Sequence, residues 1–177
     1  MDFNYRLADL VDIPYIEGLM QCSITKLLGH YVTEDELEAS FESMGLDDQL
    51  IKDKTYFLIY FEGLLVGCGG WSNRKTLFGG NHTPNRSNDF LNPNEEAAKI
   101  RAMYTHPDWS RKGVGTLILE ISEKEASISG FKRCELMATL SGIHLYKARG
   151  YKIDDEIIYK SKKSNSVKMF KMTKLLK

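Results

Sequence analysis

The sequence is poor in residues that staple or ligate. Its three cysteines, Cys22, Cys68 and Cys134, are odd in number and far apart, with no CxxC pair. That excludes a disulfide framework and a zinc ribbon, and it fits a reducing compartment. The four histidines (His30, His82, His106, His144) show neither HxxxH nor HExxH spacing, so no metal is expected. Neither charge is in excess: 24 Lys and Arg balance 24 Asp and Glu. A strongly basic nucleic-acid binder is thereby excluded on bulk electrostatics. Long hydrophobic runs are missing too. The longest, Leu64–Trp71, is broken by Gly67, Gly69 and Gly70 and is far too short to cross a bilayer. Met1-Asp2-Phe3-Asn4-Tyr5-Arg6 has no basic stretch followed by an apolar one, unlike a secretory leader. The expectation is a soluble, cytoplasmic protein with neither a membrane nor a nucleic-acid partner.

What is present is ordinary globular composition: 177 residues, 42% apolar, 27% charged and 11% aromatic. A chain of this length buries roughly 70% of its unfolded surface, enough for a core without staples. One domain spanning 1–177 is expected.

The spacing predicts a short strand at 2–7. A helix follows from Asp12 to Leu28, with Pro14 in its first turn and Gly29 as terminator. Thr33-Glu34-Asp35-Glu36 is a capping box opening a second helix. Tyr56–Phe61 and Leu64–Trp71 read as a hairpin about Glu62-Gly63. Residues 72–94 are nearly aperiodic, and such an excursion in a compact domain is usually functional or mobile. Ala97–Thr105 reads as a strand, Gly113–Gly130 as a strongly amphipathic helix, and Lys132–Ala138 as a strand. Ser141, as N-cap, opens a short helix to Ala148, and two strands close the chain (151–159 and 167–173). The order β-α-α-β-β-loop-β-α-β-α-β-β is α/β, with antiparallel strands first and a parallel pairing between the later β–α units.

The informative segment runs from Tyr104 to Thr116. A strand ends, a basic turn follows, and Gly113 and Gly115 open a helix. Glycines admit a ligand close to the backbone, and the free N–H groups of a first helical turn bind pyrophosphate, aided by Arg111 and Lys112. Neither a Walker A loop nor a Rossmann fingerprint is present.

This segment resembles the acyl-CoA signature of the GCN5-related N-acetyltransferase (GNAT) family, Gln/Arg-x-x-Gly-x-Gly/Ala. It stands here as Ser110-Arg111-Lys112-Gly113-Val114-Gly115, with Ser110 departing from the pattern. A second stretch, Leu136 to Tyr151, is similar to the family's strand–helix ending Tyr-x-x-x-Gly-Phe/Tyr. The resemblance implies a single-domain α/β fold, a mixed central β-sheet flanked by helices on both faces. It implies direct transfer of an acetyl group from acetyl-CoA to a primary amine in a ternary complex, without a metal. A non-catalytic CoA or metabolite sensor of the same fold is the alternative, and a homodimer is a candidate assembly.

The resemblance also implies roles. Backbone groups of Met103, Tyr104 and Thr105 would bind pantetheine and polarise the thioester carbonyl at a bulge, the Tyr104 ring pointing into the core. Ser110, Arg111, Lys112, Gly113, Val114, Gly115 and Thr116 would hold the pyrophosphate. Thr139 is either a cofactor contact or simple polarity at the start of a helix. Tyr146 would protonate the departing thiolate. Glu95 or Glu96 is the candidate base, with His82 and His144 as weaker ones. Relatives wall the acceptor side with the first two helices and their connection. Here that region carries Glu34, Asp35, Glu36, Glu38, Glu42, Asp47, Asp48 and Asp53 against Lys52 alone. Two readings of it stand: an acidic wall that attracts a cationic small amine or a basic peptide end, or the ordinary solvated outer face of a capped helix.

Overall fold

Strand β2, Tyr56–Phe61, sends successive side chains to opposite faces of one sheet, and that alternation separates two cores. Phe57 and Ile59 join a cluster with Val114, Ile118 and Leu119. Tyr56 and Leu58 join another with Ile16, Leu19, Met20, Leu50 and Ile51. Helices therefore cover both faces. The computed structural model describes residues 2–163 and 165–176.

The other strands are β1 (Asn4–Leu7), β3 (Leu64–Ser72), β4 (Ala98–Thr105), β5 (Arg133–Ala138), β6 (Lys152–Lys160) and β7 (Ser166–Leu175). They form one seven-stranded mixed sheet in the order β1-β2-β3-β4-β5-β7-β6. The first four pair antiparallel, β4 and β5 pair parallel, and the β6–β7 hairpin returns so that β7 lies between β5 and β6. The β2–β3 turn has positive φ at both Glu62 (47°) and Gly63 (82°), the geometry that matches the twist of its flanking strands.

Helix α1 spans Ile13–Ser23 and runs on through a π turn, Ile24–Leu28. Helix α2, Glu34–Ser43, has the expected capping box: the Glu36 N–H donates to Thr33 Oγ1 at 3.3 Å and the Thr33 N–H to Glu36 Oε2 at 2.8 Å. Helix α4, Val114–Ile128, packs against β3 and β4, and α5 spans Ile143–Ala148.

Three local readings are corrected. A five-residue helix α3, Asp48–Lys52, follows α2, with Asp47 accepting the Gln49 N–H at its start. Ser141 does not cap α5. Gly142 is the N-cap, and Ser141 Oγ lies 3.1 Å from Thr139 Oγ1. Residues 72–94 form an arm rather than a structureless excursion. Arg74 bridges Phe90, Lys75 N–H donates to the Asp89 carbonyl, and Leu91 N–H donates to the Asn73 carbonyl. The arm is latched to α3 by the two-pronged Arg74–Asp53 pair, at 2.6 and 2.8 Å.

Candidate active site

The site begins where β4 parts from β5. Their parallel ladder joins only Ala98 to Cys134 and Lys99 to Glu135, and an ion pair between Lys99 and Glu135 fastens that end. Beyond it β4 bulges. Its register against β3 shifts between Cys68 and Gly70, and Ala102 takes φ +49°. A left-handed non-glycine costs about 1–3 kcal/mol and persists only where its surroundings impose it. Here Tyr56 Oη donates to the Ala102 carbonyl at 2.7 Å. Gly69 opposite leaves room for the bulge, since a Cβ there would lie 2.8 Å from Met103 Cγ.

A cavity of about 80 Å³ fills the gap. Met103 and Tyr104 line it from β4, Met137 and Thr139 from the end of β5, and Met169 from β7. Ser43, Met44 and Gly45 close it from the α2–α3 connection, Leu77, Phe78 and Gly79 from the arm, and Tyr146 from α5. The Tyr146 ring packs edge-on against Tyr151. It lies so close over the start of α5 that a Cβ on Gly142 would sit 2.9 Å from its Cε2. Tyr146 Oη has Met103 Sδ as its partner, at 3.8 Å. Thioether sulfur is a weak acceptor, so the proton is available to a better one. Desolvation pushes the phenol up to about 12, which keeps that proton in place at neutral pH.

The basic turn follows β4. Arg111 (φ +62°) and Gly113 (φ +94°) are both left-handed, and α4 starts at Val114 with Leu117 N–H donating to the Gly113 carbonyl. The N–H groups of Val114, Gly115 and Thr116 thus precede the first intrahelical bond. Lys112 lies over the Trp109 ring at 4.9 Å, and neither it nor Arg111 has an ion-pair partner among the described residues. The two glycines differ. A Cβ on Gly113 would meet open space, whereas one on Gly115 would lie 2.7 Å from Leu145 Cδ2. Gly115 therefore serves packing of α4 on α5, not ligand approach alone. Ser110 ends the short turn, its N–H donating to the Pro107 carbonyl.

Of the candidate residues, Met103, Tyr104, Thr139 and Tyr146 converge on the cavity. Thr105 N–H is engaged by Ser23 Oγ at 3.4 Å. The Tyr104 ring is buried, its Oη accepting the Gly45 N–H. Glu95 and Glu96 do not reach the cavity. They precede the closed end of β4, where Glu96 Oε2 accepts the Asn92 N–H and the Glu95 carbonyl accepts from Arg133. Neither is placed to act as base. His144 is exposed on α5 and does not line the cavity. His82 is exposed as well, with Nε2 2.8 Å from the Phe41 carbonyl. No group of three or more His, Cys, Asp or Glu among the described residues is placed to hold a metal ion, and no helix among them is long and apolar enough to cross a membrane.

Four of the eight acids expected to form an acidic wall are paired with cations. Asp47 pairs with Arg101 and Arg86, Asp53 with Arg74, Asp48 with Lys52 and Glu38 with Lys163. Glu36 serves the capping box, and Glu42 Oε2 accepts the Lys162 N–H. Sequence reasoning missed the methionine lining. No sequence signal marks it, since Met137 and Met169 come together only where β7 lies beside β5.

A family model described as an acetyltransferase (GNAT) domain matches residues 52–153, more than half of the chain. Among solved structures, a GCN5-related N-acetyltransferase (described also as an aminotransferase, class II) from Rhodopseudomonas palustris superposes with TM-score 0.73 at 18% identity, covering 99% of this chain and 97% of that one. The PaiA N-acetyltransferase of Thermoplasma acidophilum, solved with coenzyme A, gives 0.64 at 14% identity over 99% of both chains. YncA of Salmonella typhimurium, solved with acetyl-CoA, gives 0.65 at 13% identity, covering 100% of this chain and 95% of that one. Comparison with curated protein sequences returns no significant match. At these identities the structural likeness establishes the fold alone.

Proposed function

The chain belongs to the acetyltransferase (GNAT) domain family, and from that premise we propose that it moves an acetyl group from acetyl-CoA to a primary amine by direct attack in a ternary complex. The pyrophosphate rests on the N–H groups of Val114, Gly115 and Thr116, between the side chains of Arg111 and Lys112. Pantetheine runs along the bulged part of β4, where backbone groups of Met103 and Tyr104 polarise the thioester carbonyl. Thr139 flanks the thioester. The amine nitrogen attacks the carbonyl carbon, the C–S bond breaks, and Tyr146 delivers its proton to the departing sulfur. Holding both reactants in one cleft supplies the orientation.

The observation that carries this reading is Tyr146 at the cavity, its proton held, among the described residues, only by Met103 Sδ. The test is CoA thiol release from acetyl-CoA with a panel of amines, corrected for hydrolysis. Amine-dependent release supports transfer. Tight acetyl-CoA binding with no release for any amine assigns the non-catalytic sensor instead, a reading favoured by the departure at Ser110.

A further inference from the structure

One part of the cavity wall is apolar and soft, while Ser43, Arg101, Tyr104, Thr139 and Tyr146 add polar groups to the rest. Met44, Met103, Met137 and Met169 face it together with Phe78, and methionine thioethers adapt to varied apolar shapes. Its ionisable lining is Arg101 and Tyr104 from β4 and Tyr146 from α5. Arg101 is spoken for: Nη2 bonds Asp47 Oδ2 at 2.8 Å and the Gly79 carbonyl at 2.8 Å, and Nη1 bonds the Thr76 carbonyl. Behind that wall Asp47 is shared with Arg86, so one carboxylate faces two guanidinium groups. Farther along the sheet, Glu135 is held by Lys99 and Lys171. No carboxylate or histidine lines the cavity among the described residues.

We infer that the acceptor is a small primary amine on an apolar body, and that the cavity takes it up as the free base. This rests on the acetyl-transfer reading above. An ammonium entering here would lose its hydration, find no counter-ion and lie beside an excess of guanidinium charge. Both desolvation and like charge favour the neutral amine. The ammonium proton therefore goes to bulk water before binding, which removes the need for a base in the cavity. Within the site the protons balance. The neutral nitrogen forms the C–N bond, Tyr146 protonates the expelled sulfur, and the N–H proton of the positively charged intermediate returns to the Tyr146 oxygen. The products are the amide and CoA thiol.

The test compares straight-chain alkylamines, a polyamine, an amino acid and a fluorinated alkylamine of matched shape but lower basicity. For the alkylamines kcat/KM should rise roughly fourfold per added methylene until the cavity is full. Plotted against pH, kcat/KM should level off at each amine's own solution pKa, so the fluorinated compound's inflection moves down with its basicity. One inflection shared by both amines, or a polyamine or amino acid as best acceptor, overturns the inference while leaving acetyl transfer standing. If no amine releases CoA, the transfer reading fails by itself. Alkylamine-induced thermal stabilisation of the CoA complex, rising with pH, then still decides the cavity's preference, and its absence overturns it. Met169→Glu should shift selectivity from alkylamine to diamine by tenfold or more. Because Met169 is buried, Phe78→Glu on the more exposed arm gives the same readout, and no shift in either variant counts against the inference.

Discussion

Arg101 and Asp47, 54 positions apart in sequence, meet at 2.8 Å with each side chain only 2% exposed. Their contact joins β4 to the α2–α3 connection. Through the Thr76 and Gly79 carbonyls it also sets the inner wall of the arm. Desolvation pulls the Arg101 guanidinium below its usual value, while Asp47 opposes that shift. The pair ties the arm and the α2–α3 connection to β4 beside the cavity.

Removing one partner leaves an uncompensated buried charge, which costs about 3–5 kcal/mol. Asp47→Asn and Arg101→Met should each lower unfolding free energy on that scale in denaturant titration. The double replacement Asp47→Leu with Arg101→Met should recover much of the loss, since apolar substitutes of similar volume are often neutral. Single variants within 0.5 kcal/mol of the parent, on the order of ordinary surface changes, would show the pair to be incidental.

Tyr146→Phe should keep acetyl-CoA affinity and lower turnover roughly 10²-fold, the lower end of what general acid catalysis contributes. Gly142→Ala tests the same position from beneath. Its added methyl meets the ring at 2.9 Å, so kcat should fall while the KM for acetyl-CoA holds. Turnover unchanged in both variants, measured where chemistry limits the rate, would reduce the ring to packing.

Acetyl-CoA at 100 times its dissociation constant should stabilise the protein by about 2.7 kcal/mol. Gly113→Val should abolish that gain, and it should also destabilise the unliganded chain by about 1–2 kcal/mol, because a side chain at left-handed φ is strained. The exposed reversals Arg111→Glu and Lys112→Glu separate the two effects: folding stability stays near the parent and the ligand-induced gain shrinks. A full ligand shift in all three would move the pyrophosphate elsewhere.

Local chemistry made much of this legible from sequence. The Thr33–Glu36 box, the Glu62-Gly63 turn and the apolar strand Tyr56–Phe61 each act within a few residues, and each is present as expected. The basic turn before α4 was equally local. What sequence could not deliver lies in contacts between distant segments. The arm is ordered by Arg74 on Asp53 and Arg86 on Asp47, partners 21 and 39 positions away that no periodicity marks. Counting the acids of 33–53 without those arginines overstates a charge that Arg74, Arg86 and Arg101 partly offset. Likewise Met137 and Met169 share a wall only because β7 inserts beside β5, pairing Met137 with Lys171. Glu95 and Glu96 looked close to the signature strand in sequence but stand at its far, closed end.

The arm's latch should respond to acid in a defined direction. Hydrogen bonds from Arg74 hold the Asp53 carboxyl below its ordinary value against the opposing effect of burial, with Gln49 assisting. The Arg6 guanidinium does the same for Asp12, which also accepts the Asp9 N–H. Both folded values lie under the unfolded one of about 3.9. The stability these groups contribute is therefore complete above that value and is lost as pH falls through the lowered folded pKa. Asp53→Asn should flatten part of the acid limb of the stability–pH curve, and Asp12→Asn a separate part, the two effects adding. Only Asp53→Asn should also speed proteolytic nicking of residues 76–87 at neutral pH, because only it frees Arg74. An unchanged acid limb in Asp53→Asn, or nicking as slow as in the parent, would mean that Arg86 and Arg101 hold the arm without the Arg74–Asp53 pair.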